Sequence, residues 1–207
     1  MTTIFRPATA DDISAITRFT SKADSGLTTV PKSKAAVTDY VTESSDFIAG
    51  KPGANRLLFV AEQEGNILGI SGIIPRLGVE RPFYSFKRSR HARKATQQDL
   101  SVRYDTLQLT TDFDGFTELA TIYLAPEARG MGVGRLLSLG RLGFIYAHRE
   151  KFEDRLMADI RGWVNEKGIS PFWKNLTSKF IQTEFDNADR LSSGTVSYTH
   201  LTLPTKA

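Results

Sequence analysis

Apolar and polar residues alternate along the chain in segments whose spacing changes several times. Residues 3–6 read as a short strand, and Thr9 with Asp12 three positions on is a capping-box variant opening a helix whose apolar side is Ile13, Ile16 and Phe19. After the polar, glycine-containing stretch 21–31, the spacing of Val37, Tyr40, Val41 and Phe47 predicts a second helix over 33–48, which Lys51-Pro52-Gly53 ends. Two β-rich runs, 57–62 and 67–74, joined by Gln63-Glu64-Gly65-Asn66, predict an antiparallel hairpin. Residues 83–86, 106–110 and 118–124 are further strands, separated by a basic stretch at 88–94 and the turn Asp112-Phe113-Asp114-Gly115. A glycine-rich segment at 129–134 then leads into a long helix running through Phe152, a strand over 155–160 and a short helix from near Ser170. This order predicts an α/β domain with a mixed sheet and no internal repeat.

Composition narrows the chemistry more than the fold. The 207 residues are 40% hydrophobic and 24% charged, as in a globular protein with a real core. There is no cysteine, so disulfides, thiolate nucleophiles and cysteine zinc sites are excluded. Three histidines, His91, His148 and His200, make a poor basis for a metal centre, and no metal ligands are expected. The 27 basic and 23 acidic residues leave a net charge of +4, which suits phosphate-bearing ligands without requiring nucleic acid. The first seven residues have no apolar signal-peptide core. The apolar stretch 131–147 carries Arg135, Arg141 and four glycines, so it reads as a buried helix rather than a membrane span, and a cytoplasmic location is expected.

The stretch that carries chemistry runs from Glu118 to Leu137. Glycines at 130, 132 and 134 let the backbone take positive φ and approach a ligand closely. Successive N–H groups then point inward at the positive end of the following helix, an anion cradle suited to a pyrophosphate. A dinucleotide G-x-G-x-x-G loop is not met, because Leu137 stands where its third glycine would be, and no Gly-Lys-Ser/Thr of a Walker loop occurs there. The plainer alternative is that the glycines serve only a tight turn and close helix packing. On strand 118–124, strict alternation would put Glu118, Ala120, Ile122 and Leu124 on one face and Leu119, Thr121 and Tyr123 on the other.

The remaining pattern, Arg129-x-x-Gly132-x-Gly134 between a strand and a helix, resembles the coenzyme A pyrophosphate motif of the Gcn5-related N-acyltransferase superfamily. The flanks narrow the resemblance. Ser21-Lys22, Gly26-Leu27-Thr28, Pro31, Pro82-Phe83-Tyr84, His91, Glu118-Leu119, Thr121, Leu124, Ala158, Arg161-Gly162, Gly168 and Ser170-Pro171-Phe172-Trp173 together look like the arginine N-succinyltransferase family, from about Ile4 to Thr195. The resemblance implies a central mixed, mostly antiparallel sheet flanked by helices. It implies succinyl-CoA as acyl-donor substrate rather than a resident cofactor, and L-arginine as acceptor. It also implies CoA contacts at Ile122, Arg129, Gly130, Gly132, Val133, Gly134 and Arg135, and a weaker substrate contact at His91.

Family members continue well beyond this length, and the histidine they use as proton donor belongs to that later region. Residues 1–195 are therefore expected to be the N-terminal part of an acyl-CoA N-acyltransferase-like domain, whose activity alone is in question. Residues 196–207 resemble translated sequencing adapter, so neither His200 nor Tyr198 is given a role.

Acyl transfer to an amine needs a neutral nucleophile, donors for the thioester oxygen and a proton for the leaving thiolate. A backbone N–H near Ile122 is the candidate donor. Glu118 is the candidate base, against the commoner use of a strand-end carboxylate as an ion-paired or solvated group. Arg129 and Arg135 suit phosphate contacts but are also ordinary surface residues. The cluster Lys87, Arg88, Arg90, Arg93 and Lys94 departs from the family pattern and reads as a solvated loop. Two other functions stay open: another N-acyltransferase of the superfamily, and a non-catalytic module binding CoA or, less in keeping with the charge, nucleic acid. No membrane partner is expected, and the choice between a homo-oligomer and an assembly with a related subunit is open.

Overall fold

The computed structural model describes residues 2–23, 27, 29–95, 100–160, 162–165, 169–185 and 187–188. They fall into two compact units, 1–23 with 30–159 and 24–29 with 160–207. Gly26, Thr28, Arg161, Gly168, Thr195 and the adapter-like tail 196–207, all part of the sequence argument, lie outside the described residues.

In the first unit, β1 (Ile4–Pro7) leads through a 3₁₀ turn into α1 (Ile13–Thr20). The expected cap forms: the Asp12 carboxylate accepts from the Thr9 backbone N–H at 2.8 Å and from its hydroxyl at 3.0 Å. Arg6 adds two bonds to the same carboxylate at 2.7 and 2.8 Å, and this guanidinium holds the Asp12 carboxyl down at about 2. Helix α2 (Lys34–Ile48) starts where Ser33 accepts from the Ala36 N–H, within a residue of expectation.

β2 (Leu57–Gln63) and β3 (Asn66–Ile73) form the predicted hairpin, and the sheet order is β1-β2-β3-β7, antiparallel throughout, with β7 covering Ile122–Leu124. β6 (Thr117–Glu118) pairs in parallel with β8 (Leu156–Met157), which is shorter than the expected strand over 155–160. Helix α3 (Val133–Ala147) packs on the sheet. Its Ile145 joins Leu57, Phe59, Ile73 and Phe152 in one apolar cluster, and its Val133 and Leu137 join Ala61, Ala125 and Ala128 in another. Phe59 is the hub, with rings of Phe5 and Phe144 each 4.9 Å away. This is the mixed, mostly antiparallel sheet flanked by helices that the resemblance implied.

Three expectations are corrected. Helix α3 stops at Ala147 instead of running through Phe152, because His148 leaves helical geometry at φ −127°; a 3₁₀ turn follows and Phe152 is extended and buried. The basic stretch 88–94 is not a loop but the middle of β4 (Ser85–Ala95), which pairs along its whole length with β5 (Leu100–Thr110). This hairpin pairs with no other strand among the described residues, and its cationic residues are solvated, as expected for them. Finally, strand 118–124 is broken between β6 and β7, with consequences for the site.

In the second unit, α4 (Pro171–Asn175) begins at Ser170, whose hydroxyl accepts from the Trp173 N–H at 3.3 Å. The Trp173 ring meets Phe185 at 5.6 Å. No described helix is long and apolar enough to cross a membrane.

Candidate active site

The glycine segment places two residues of left-handed backbone directly before the N-terminus of α3. Pro126–Ala128 forms a 3₁₀ turn after β7. Gly130 and Gly132 then both take φ near 80°, a region costly for any residue with a Cβ. Gly132 precedes the first residue of α3, and the first intrahelical bond of this turn runs from the Leu136 N–H to the Gly132 carbonyl at 3.0 Å. Helix geometry thereby leaves the N–H groups of Val133, Gly134 and Arg135 without intrahelical acceptors, and no side chain caps them. Arg129 and Arg135 are exposed beside these groups, with no carboxylate partner among the described residues. The third glycine is of another kind: at Gly134 φ is ordinary and a Cβ would only touch Leu124 at 3.7 Å, so backbone conformation does not demand glycine there.

The strand leading to the cradle is bent at Ala120–Thr121. Upstream it is paired on both edges: Thr117 and Leu119 donate to the Arg155 and Met157 carbonyls of the β8 segment at 2.9 and 2.8 Å, while Glu118 and Ile74 exchange both bonds. At the bend the Gly72 N–H is shared between two successive carbonyls, Ala120 at 3.1 Å and Thr121 at 2.8 Å, and Thr121 has φ +36°. Downstream, the Ala125 N–H donates to the Leu68 carbonyl at 2.9 Å. By the two-residue alternation of an antiparallel ladder, Tyr123 and Ala125 turn their N–H groups toward β3, and Ile122 turns its own to the opposite edge, past the end of β8. Ile122 is 48% exposed, and its N–H meets no backbone acceptor among the described residues. The expected single face of Glu118, Ala120 and Ile122 is thus overturned: the bulge leaves Glu118 and Ala120 buried and Ile122 open.

Glu118 lies one strand step upstream of the bend and is 9% exposed. Burial, with repulsion from Asp159 behind it, pushes its carboxyl up to about 7. No hydrogen bond to the carboxylate is formed by the described residues, which is consistent with a group held near neutrality rather than in an ion pair.

Two residues to which sequence reasoning gave no functional role, Tyr40 and Arg141, flank the bend. Tyr40 of α2 is hydrogen-bonded to the Thr121 side chain, has its hydroxyl pushed up to about 12 by burial, and lies so close to Gly72 that a Cβ there would collide with that hydroxyl. The Arg56 guanidinium lies 4.9 Å from the Tyr40 ring centroid. Arg141 of α3 donates from Nη1 to the carbonyls of Ala120 at 2.8 Å and Gly72 at 3.2 Å. The signal for Arg141 was available: it sits four residues from Leu137 and from Ile145, on the stripe that both bury.

His91 is on the β4–β5 hairpin, where its ring stacks on Tyr104 at 5.1 Å and bonds the Thr106 hydroxyl at 3.0 Å. These partners belong to its own hairpin, not to the cradle. His148 packs its ring 4.5 Å from Phe144.

With this geometry in place, comparison with known proteins is specific. Residues 3–205 match the family model described as arginine N-succinyltransferase beta subunit. Arginine N-succinyltransferases of Citrobacter koseri and Escherichia coli O17:K52:H18 are each 33% identical over 192 residues, covering 91% of this chain and 56% of each relative. The arginine/ornithine succinyltransferase subunit AI of Pseudomonas aeruginosa superposes with a TM-score of 0.81 at 28% identity, covering 92% of this chain and 59% of that one. The chain therefore spans little more than half the length of these relatives. It belongs to the arginine N-succinyltransferase beta subunit family.

Proposed function

We propose that this chain is the CoA-binding part of an arginine N-succinyltransferase, which moves succinyl from succinyl-CoA to the α-amine of L-arginine. The observation that carries the reading is the Ile122 N–H, which has no backbone acceptor among the described residues, at the open edge of a strand that runs directly into the glycine cradle. An acyl-CoA has its reactive carbonyl and its pyrophosphate at the two ends of the pantetheine arm, and the strand and cradle offer one donor set for each. The pyrophosphate sits on the N–H groups from Gly130 to Arg135, with Val133 and Gly134 in the first helical turn and Arg129 and Arg135 as flanking cations. The thioester oxygen accepts from the Ile122 N–H, which stabilises the oxyanion as the amine adds.

Glu118, with a carboxyl near 7, takes the proton that the arginine ammonium must lose, directly or through one water. The amine nitrogen then bonds the thioester carbon and gives up its second proton to solvent, the carbon–sulfur bond breaks, and CoA leaves as thiolate. The family resemblance assigns the thiolate's proton to a histidine outside this sequence. His91 remains a proposed substrate contact. The reading also includes a cytoplasmic location and assembly into an oligomer through copies or a related subunit.

The test is a donor competition. The chain is incubated with L-arginine and equal succinyl-CoA and acetyl-CoA, and products are identified by mass. N-succinylarginine should form in excess over the acetyl product. Preferential acetyl transfer, or a folded chain that neither modifies arginine nor binds succinyl-CoA in a titration, would overturn the reading.

A further inference from the structure

We propose that Arg141 is a positioning residue that holds the bend in the acyl-carbonyl strand by supplying the ladder donor which the bulge removes. This rests on the reading of Ile122 as the thioester contact. The backbone accounting at Gly72 leads to it. In an antiparallel ladder a residue turns its N–H and C=O to the same neighbour. Gly72 turns both toward the 118–124 segment, but the bulge presents two acceptors, the Ala120 and Thr121 carbonyls, to its one donor. Among the described residues no backbone donor then answers the Gly72 carbonyl, and a buried unpaired carbonyl is costly. Arg141 Nη1 fills that place and bonds the Ala120 carbonyl as well, so one nitrogen bridges the two strands where their own ladder is interrupted.

The position makes the choice of residue informative. Arg141 is 5% exposed and lies between Leu137 and Ile145 on the buried stripe of α3, where an apolar side chain would otherwise pack. It has no carboxylate partner among the described residues, and its Nε is buried without a hydrogen bond. Burial lowers its affinity for its proton, the expected mark of a desolvated cation. A buried cation without a counter-ion is destabilising in itself, so its return among the described residues is the pair of carbonyls it holds.

From the opposite face of the sheet, Tyr40 bonds Thr121 and fills the space a side chain on Gly72 would take. Arg141 and Tyr40 therefore fix the bend from two sides. The bend is what lets the strand diverge from β8 and leaves the Ile122 N–H available.

The experiment uses the 207-residue chain, Arg141→Met and Arg141→Lys, with site-resolved amide hydrogen exchange, thermal unfolding, and titration of CoA and succinyl-CoA. Arg141→Met should speed exchange at Gly72, Leu119 and Tyr123 by about tenfold or more while leaving Val60 in the middle of β2 unchanged. It should reduce the preference for succinyl-CoA over CoA by about tenfold, with CoA alone held within about twofold, because the cradle is untouched. Arg141→Lys, which keeps the charge and can reach one carbonyl, should restore part of both effects. Uniform loss of protection across the unit together with a lower Tm would make Arg141 a general core residue and overturn the proposal. So would an unchanged Gly72 exchange rate in a folded Arg141→Met. If the parent chain itself shows no preference for succinyl-CoA and no shift of its Ile122 amide resonance, the Ile122 reading fails. The Gly72 exchange rates then decide separately whether Arg141 holds the bend.

Discussion

Replacing Glu118 with Gln should change how stability depends on pH, by an amount that the burial of this residue sets. The carboxyl ionises near 4.5 when solvated and near 7 in the native chain. A tenfold change in a protonation equilibrium is about 1.4 kcal/mol, so ionisation is roughly 3 kcal/mol harder after folding. Between about pH 4.5 and 7 the native state keeps a proton that the unfolded state has released. Stability from this group is therefore fully present below the unfolded value, declines as pH rises through that window, and is constant above it. Glu118→Gln removes the group without changing its shape. Urea unfolding of parent and variant, followed by circular dichroism at pH 4.5, 6, 7 and 8, gives the difference in stability, and the other titrating groups cancel in it. The variant should gain about 3 kcal/mol on the parent between pH 4.5 and 8, and Asp159→Asn should recover a smaller part of that. A difference independent of pH would refute the account of Glu118 as a buried carboxyl poised near neutrality, and with it the case for Glu118 as the base.

Other outcomes follow from the same geometry. Gly132→Ala, at φ 80°, should cost about 1–2 kcal/mol in urea unfolding, whereas Gly134→Ala, in open helical conformation, should fold at least as stably as the parent. Asp12→Ala removes the α1 cap and the Arg6 pair, lowering stability by about 1–2 kcal/mol at pH 7; because Arg6 holds this carboxyl near 2, the loss should shrink as pH falls from about 4 toward 2, read by thermal unfolding. Phe59→Ala, at the centre of the core beneath α3, should cost about 3–5 kcal/mol and lower Tm more than any of these.

What could be read from the residues depended on whether the governing interaction was local. The α1 cap was legible because Thr9 and Asp12 answer each other across one turn, and the β2–β3 hairpin because its apolar runs and short Gly-containing loop define it. The β4 strand differs from the expected loop for a physical reason: among the described residues neither face of the β4–β5 hairpin is covered, so charges occupy both faces and the period-2 signal of a half-buried strand disappears. The cradle was visible as glycines before a helix, since positive φ is a local demand. The bend was not, because it depends on Arg141, Tyr40 and Gly72, which are brought together only by packing α2 and α3 on the sheet. The same packing buries Glu118 and turns a strand-end carboxylate into a candidate base.

The central claim is that the glycine cradle holds the CoA pyrophosphate, and calorimetric titration of succinyl-CoA tests it most directly. The parent chain and a Gly132→Asp, Gly134→Asp double variant are compared after circular dichroism has established that both are folded. The added carboxylates face the ligand's phosphates at the helix N-terminus, so one-to-one binding by the parent and a loss of about a hundredfold or more in the variant are predicted. Equal affinity in the two folded proteins, or no binding by the folded parent, would contradict the claim.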